Sequence, residues 1–165
     1  MSETNKDKFK KYELVIFGAS GFTGQIATYY IDNNYPDLNW AIAGRNKEKL
    51  TLLSESCSSN PDILIGDSLN KDELNAIANS TKVVLSFAGP FNKYSDSMVD
   101  SCFHANTNYI DITGENIWVK DLIDKYHSEA VKKNIKIIPS CGYDSIPSDM
   151  GVYFSQRELN KPIKK

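Results

Sequence analysis

Short apolar runs alternate along the chain with longer stretches in which apolar residues recur every three or four positions. Glu13-Leu14-Val15-Ile16-Phe17 is a compact run halted by Gly18, the pattern of a strand buried on both faces. Over 23–33, Ile26, Ala27, Tyr30 and Ile31 fall at helical spacing. Trp40-Ala41-Ile42-Ala43 reads as a second strand stopped by Gly44, and 47–56 as a second helix carried by Leu50, Leu52 and Leu53. Ile63-Leu64-Ile65 predicts a third strand, with a short helix over 72–78 behind it. A fourth strand covers 83–88 and breaks at Gly89-Pro90, after which helix returns around 95–104. Tyr109-Ile110-Asp111-Ile112 is a fifth strand, 118–133 a longer helix and 135–138 a sixth strand. A last helix is expected from near Ser148, because serine and aspartate before an apolar run act as caps.

Alternation of this kind requires a parallel sheet covered by helices on both faces. Right-handed crossovers leave few topologies, and the doubly wound (Rossmann) strand order 3-2-1-4-5-6 leads. The chain of 165 residues is about one domain long. The expected organisation is a polar tail over 1–11, a doubly wound α/β domain over 12–159, and a polar tail or truncation point over 160–165.

Gly18-Ala19-Ser20-Gly21-Phe22-Thr23-Gly24 has the form G-x-x-G-x-x-G between the first strand and the first helix. Glycine suits such a turn for three reasons: the chain bends sharply, the backbone approaches a pyrophosphate without a Cβ between, and the helix packs close on the sheet. The helix start then offers free N–H groups and partial positive charge to phosphate. Ser20 and Thr23 can add hydroxyl donors. A glycine triplet alone is weak, but the strand-turn-helix setting is the context that gives it meaning.

The end of the second strand selects between the nicotinamide cofactors. An acid there binds ribose hydroxyls, whereas arginine accommodates a 2′-phosphate. Here the residues are Gly44-Arg45-Asn46-Lys47, with no acid before Glu48. Arg45 offers a planar donor fork for phosphate, so NADP is expected over NAD, against the plainer reading of a surface arginine at a helix start. Asp67, after the third strand, either touches the adenine amino group or caps the next helix. Ala88, Gly89 and Pro90 lie across the switch point from the glycine turn, where small residues let the nicotinamide half run along the backbone.

Composition narrows the field. A net charge of −2 leaves no basic footprint for nucleic acid. No apolar run approaches the roughly 18 residues of a membrane-spanning helix. The lysine-rich start has no apolar stretch of the secretory type behind it. A cytoplasmic protein is expected, with peripheral membrane or organelle association left open. Three cysteines, without C-x-x-C spacing, argue against a disulfide framework or zinc site, and the two histidines are too isolated to build a metal site.

These residues together resemble the saccharopine dehydrogenase-like oxidoreductases, a family that includes trans-acting enoyl reductases. The resemblance is carried by the glycine turn, by Ala43-Gly44-Arg45-Asn46, by Gly89-Pro90-Phe91, by Tyr109-Ile110-Asp111-Ile112-Thr113-Gly114-Glu115 and by Cys141-Gly142-Tyr143-Asp144-Ser145-Ile146-Pro147-Ser148-Asp149. It implies a nicotinamide-dependent reductase in which a second domain covers the cofactor and forms most of the substrate site. Members are considerably longer, so the resemblance also implies that the substrate domain is absent from this chain. An exposed apolar face is then expected where that domain docks, open to self-association or to a partner.

Candidate chemistry is sparse. The resemblance puts Asp111 and Glu115 beside the active cleft, where a carboxylate serves either as acid or base or as a tie to a nearby backbone N–H. Capping accounts for Ser148 or Asp149 equally well. Tyr94 is within reach of a nicotinamide, though packing is the plainer use. None of the nine tyrosines has a lysine four positions on, which removes the tyrosine–lysine proton relay of short-chain reductases. Cys141 invites comparison with the cysteine nucleophile of semialdehyde dehydrogenases, but no histidine follows it to act as base. The expectation is an NADP-dependent oxidoreductase acting on a small-molecule or acyl substrate, with catalytic residues unassigned. The alternative is a non-catalytic NADP-binding module that acts with a partner.

Overall fold

The computed structural model describes residues 10–159. Most of the tail expected over 1–11, and all of 160–165, lie outside the described residues. Among those described, strands β1 (Tyr12–Phe17), β2 (Trp40–Gly44), β3 (Asp62–Ile65), β4 (Thr81–Ser86), β5 (Asn108–Asp111) and β6 (Ile137–Ile138) form one sheet. The order is β3-β2-β1-β4-β5-β6, and every neighbouring pair is parallel. The doubly wound order expected from the alternation is the one observed.

Seven helices among the described residues accompany the sheet: α1 (Phe22–Asn34), α2 (Lys47–Glu55), α3 (Lys71–Ser80), α4 (Phe91–Tyr94), α5 (Asp96–Ala105), α6 (Asn116–Lys133) and α7 (Ile146–Leu159). The strand period of two sorts the core into two layers. Val15, Phe17, Ala41 and Ala43 face one side and pack with Leu74, Ile77, Met98, Val99 and Trp118 from α3, α5 and α6. Ile16, Trp40 and Ile42 face the other side and meet Leu50 and Leu53 of α2, with Ile31 of α1 behind them. Each fully buried Val, Leu, Ile, Phe or Met among them contributes on the order of 1.5–3 kcal/mol.

Three elements differ from the sequence pattern. The helix expected over 95–104 is α5, but a short helix that the pattern did not predict, α4, forms directly after Pro90 and is separated from it by Ser95. The sixth strand is only Ile137–Ile138, since the bond from Tyr109 N–H to the Lys136 carbonyl precedes the ladder and Pro139 ends it. The last helix begins at Ile146 rather than near Ser148. Asp149 N–H closes the first turn onto the Ser145 carbonyl at 3.0 Å, which makes Ser145 the cap position and puts Ser148 and Asp149 inside the first turn. Pro147 fits there because the first turn needs no N–H from it.

α7 buries none of its residues, and Ile146, Met150, Val152, Tyr153, Phe154 and Leu159 are all exposed.

Candidate cofactor site

β1 ends in Phe17, and Gly18 turns the chain with φ +79°, a conformation that side chains rarely adopt. Gly18 N–H donates to the Ala43 carbonyl at 2.9 Å, which pins the turn to β2. A Cβ on Gly18 would meet the backbone of Phe87 and Ala88 at 3.0 Å. The first helical bond of α1 runs from Gln25 N–H to the Gly21 carbonyl at 2.9 Å. The amides of Phe22, Thr23 and Gly24 therefore have no partner within the helix. No side chain caps this end, and its first turn holds no acid that would compete for an anion. By contrast, α2 and α3 are capped by Asn46 and Asn70.

The turn opens on a cavity of about 270 Å³ at the carboxyl ends of β1 to β4. Seven residues singled out in the sequence line it or its mouth: Gly18, Ser20, Gly21, Arg45, Asp67, Ala88 and Gly89. The cavity straddles the step between β1 and β4, where strand order reverses and doubly wound sheets hold their ligands. A second cavity of the same volume runs between α6 and β6, lined by Leu122, Tyr126, Ile135 and Ile137 among others. It lies away from the switch point, and it lacks a glycine turn and an uncapped helix start.

Five sequence candidates lie outside the cavity wall. Phe22 and Thr23 are exposed and contribute through their backbone position at the helix start. Gly24 is buried against the turn, where a Cβ would lie 2.8 Å from the Ala19 Cα, so its role is close packing. Asn46 is committed as a cap, its Oδ1 accepting from Lys49 N–H at 2.9 Å. Pro90 precedes α4 and stands next to the wall rather than in it.

Arg45 is exposed and, among the described residues, has no ion-pair or hydrogen-bond partner. Its guanidinium is free for an incoming anion. Asp67 Oδ1 accepts from Leu69 N–H at 2.9 Å, while the cap of α3 falls to Asn70. The capping alternative for Asp67 is thus replaced by a local turn beside the cavity. Gly44, Gly66, Ser68, Leu69 and Phe87 also line the space and were not named as cofactor residues from the sequence, and Tyr94, read there as within reach of a nicotinamide, lines it too. The rule that ligands sit beyond strand carboxyl ends points to the first five, each being at or just past such an end.

The two carboxylates near the fifth strand are both engaged by backbone. Asp111 is fully buried; its Oδ1 accepts from Thr113 N–H at 2.9 Å and from Ser140 N–H at 3.1 Å. Burial raises its carboxyl above the usual range, against the lowering effect of those amides and of Tyr109. Tyr109, also buried, is driven well above the ordinary phenol value by desolvation and by the Asp111 charge. Asp111 Oδ2, Tyr109 OH and Ser95 Oγ are buried and, among the described residues, have no direct hydrogen-bond partner. Glu115 spreads its two oxygens over the amides of Phe91 and Asn92. Cys141 is exposed and Cys57 and Cys102 are buried free thiols, with Cys102 pushed far up by desolvation.

The turn fits a dinucleotide on its own geometry: the side-chain-free backbone of Gly18 and Gly21 lines the cavity, the uncapped start of α1 adjoins it, and Arg45 in its wall has no partner among the described residues. Comparison with known proteins agrees. The family model described as saccharopine dehydrogenase NADP binding domain matches residues 14–138. The mouse saccharopine dehydrogenase-like oxidoreductase is 37% identical over 166 residues, covering 92% of this chain and 39% of the mouse protein. A lipid droplet localized protein of Caenorhabditis elegans is 31% identical over 159 residues, covering 91% of this chain and 37% of its own length. This chain thus spans about two fifths of the length of these relatives. Among solved structures, saccharopine dehydrogenase from Saccharomyces cerevisiae superimposes with a TM-score of 0.75 at 19% identity, over 90% of this chain and 31% of that one. By its sequence, and with the fold in agreement, the chain belongs to the saccharopine dehydrogenase NADP-binding domain family.

Proposed function

We propose that this chain holds NADP for hydride transfer in a saccharopine dehydrogenase-like oxidoreductase. The observation that carries this reading is the uncapped start of α1, which follows directly on Gly18 and Gly21 in the wall of the cavity at the switch point. In it, the Phe22, Thr23 and Gly24 amides and the Ser20 hydroxyl hold the pyrophosphate. Arg45 takes the 2′-phosphate, Asp67 stands by the adenine, and Ala88, Gly89 and Pro90 border the nicotinamide half. NADP supplies the hydride, and the protein supplies orientation and electrostatics.

The substrate class proposed is a small or acyl-type carbonyl or enoyl compound. No residue is assigned as acid or base, because Asp111 and Glu115 both spend carboxylate oxygens on backbone amides. The proposed location is the cytoplasm. No helix of the described residues is long and apolar enough to cross a membrane, and the nematode relative's name supports peripheral association with a lipid surface.

A second reading, an NADP-binding module without turnover of its own, is favoured by α7. Its uncovered apolar residues suit docking to a substrate-bearing domain, a partner or a second copy. Titration of NADPH and NADH by nicotinamide fluorescence tests the cofactor claim, with tighter NADPH binding expected. NADPH oxidation across carbonyl and enoyl substrates separates the two readings, since turnover by this chain alone excludes the module.

A further inference from the structure

Glu115 acts on a loop 24 residues away in sequence. Its Oε1 accepts from Phe91 N–H at 3.0 Å and its Oε2 from Asn92 N–H at 2.7 Å. These are the first two amides after the Gly89–Pro90 peptide, and Gly89 belongs to the cavity wall. α4 has no capping side chain of its own, so Glu115 supplies the missing acceptors from across the fold. The Phe91 ring reinforces the same wall from behind. It is buried, stands 6.2 Å from the Trp118 ring, and would lie 3.2 Å from a Cβ on Gly89.

Glu115 is itself anchored on the other side. Its N–H donates to Thr113 Oγ1 at 3.1 Å, and Thr113 N–H donates to Asp111 Oδ1 at 2.9 Å. Asp111 in turn receives Ser140 N–H on Oδ1 and Cys141 N–H on its carbonyl, the latter at 2.8 Å. The segment from Asp111 to Glu115 therefore links the cavity loop to the turn that leads into α7.

We infer that Glu115 is a positioning residue for the nicotinamide half of the bound dinucleotide. Its carboxylate fixes two consecutive amides and through them the Ala88–Gly89–Pro90 wall. This rests on the NADP reading above. A glutamine is the telling substitution, because its NH₂ group would face one of two N–H donors that both require an acceptor.

The test uses the full chain, two ligands and thermal unfolding. NADPH is followed by fluorescence, and adenosine 2′,5′-bisphosphate, which lacks the nicotinamide half, by calorimetry. Glu115→Gln is expected to weaken NADPH by about tenfold or more, the worth of one charge-assisted bond, and to leave the bisphosphate within about twofold. Glu115→Asp is expected to recover part of the loss. In the wild type, NADPH should slow amide exchange at Phe91 and Asn92 while the bisphosphate does not, a readout that needs no variant to fold.

Unchanged NADPH affinity in Glu115→Gln overturns the inference. So does an equal loss for both ligands alongside a lowered melting temperature, or exchange at Phe91 and Asn92 that ignores NADPH. Wild type that binds neither ligand removes the NADP reading instead, and the inference with it.

Discussion

The backbone of Gly24 stands against the carbonyl oxygen of Gly18, so closely that a Cβ on Gly24 would overlap it. One glycine makes the turn and the other lets the helix close on it. Gly24→Ala is therefore expected to destabilise the fold by about 1–3 kcal/mol, the usual range for overpacking against rigid neighbours. Urea unfolding measures this, and a variant as stable as the wild type would show that the helix moves aside freely.

Gly21 behaves differently. Its φ of −75° is open to any residue, and a Cβ would sit 3.3 Å from the Gly18 carbonyl oxygen at an exposed position. Gly21→Val should cost about 1 kcal/mol of stability, as a poor cap residue does. NADPH affinity should fall by about tenfold or more, because the valine branches would stand before amides meant for phosphate. Full retention of NADPH binding in a folded variant would refute the pyrophosphate assignment.

Arg45 bears on the choice between cofactors. Loss of a charged hydrogen bond corresponds to about 1.5–3 kcal/mol, or roughly ten- to a hundredfold in affinity. Arg45→Ala should weaken NADPH to that extent and leave NADH nearly unchanged. Parallel losses for the two would assign Arg45 to a part they share.

Asp111 makes a prediction about pH. Its folded pKa is raised, chiefly by burial, so the folded state keeps a proton that the unfolded state has released. Between the ordinary carboxylate value of 3.8 and the raised one, its contribution to stability falls as pH rises, and above the raised value it is level. Asp111→Asn keeps an oxygen acceptor for the Thr113 and Ser140 amides and offers an NH₂ on the side of the Tyr109 hydroxyl. The stability difference between wild type and variant should therefore shift against the wild type across that window. Urea midpoints from pH 4 upward that track each other for both proteins would contradict it.

The sheet order was legible in the sequence because it follows from local signals repeated along the chain. Val15, Ile42 and Val84 mark buried strands, and Gly18, Gly44 and Gly89 mark where each run stops. The cavity was legible in part for the same reason, since Ser20, Arg45, Asp67 and Ala88 all sit at strand ends. Asn46 went to the cofactor although its position before Lys47 and Glu48 is also a cap signal, and the cap is what the structure shows. The reach of Glu115 to Phe91 could not be read, because it joins residues that only the packed fold brings together. The start of α7 was misplaced for a simpler cause: three cap-like residues within five positions, Asp144, Ser145 and Ser148, compete locally, and the backbone bond to Ser145 decides among them.

A fourteen-residue helix that covers none of its side chains derives little support from the sheet below it. Alone in water a helix of that length is only marginal. α7 hangs from the bonds of the Gly142–Ser145 turn and from the contact of Gly142 with Ile112. Gentle denaturant should loosen it well before the strands separate, and a protease cutting there would leave the six-stranded scaffold standing.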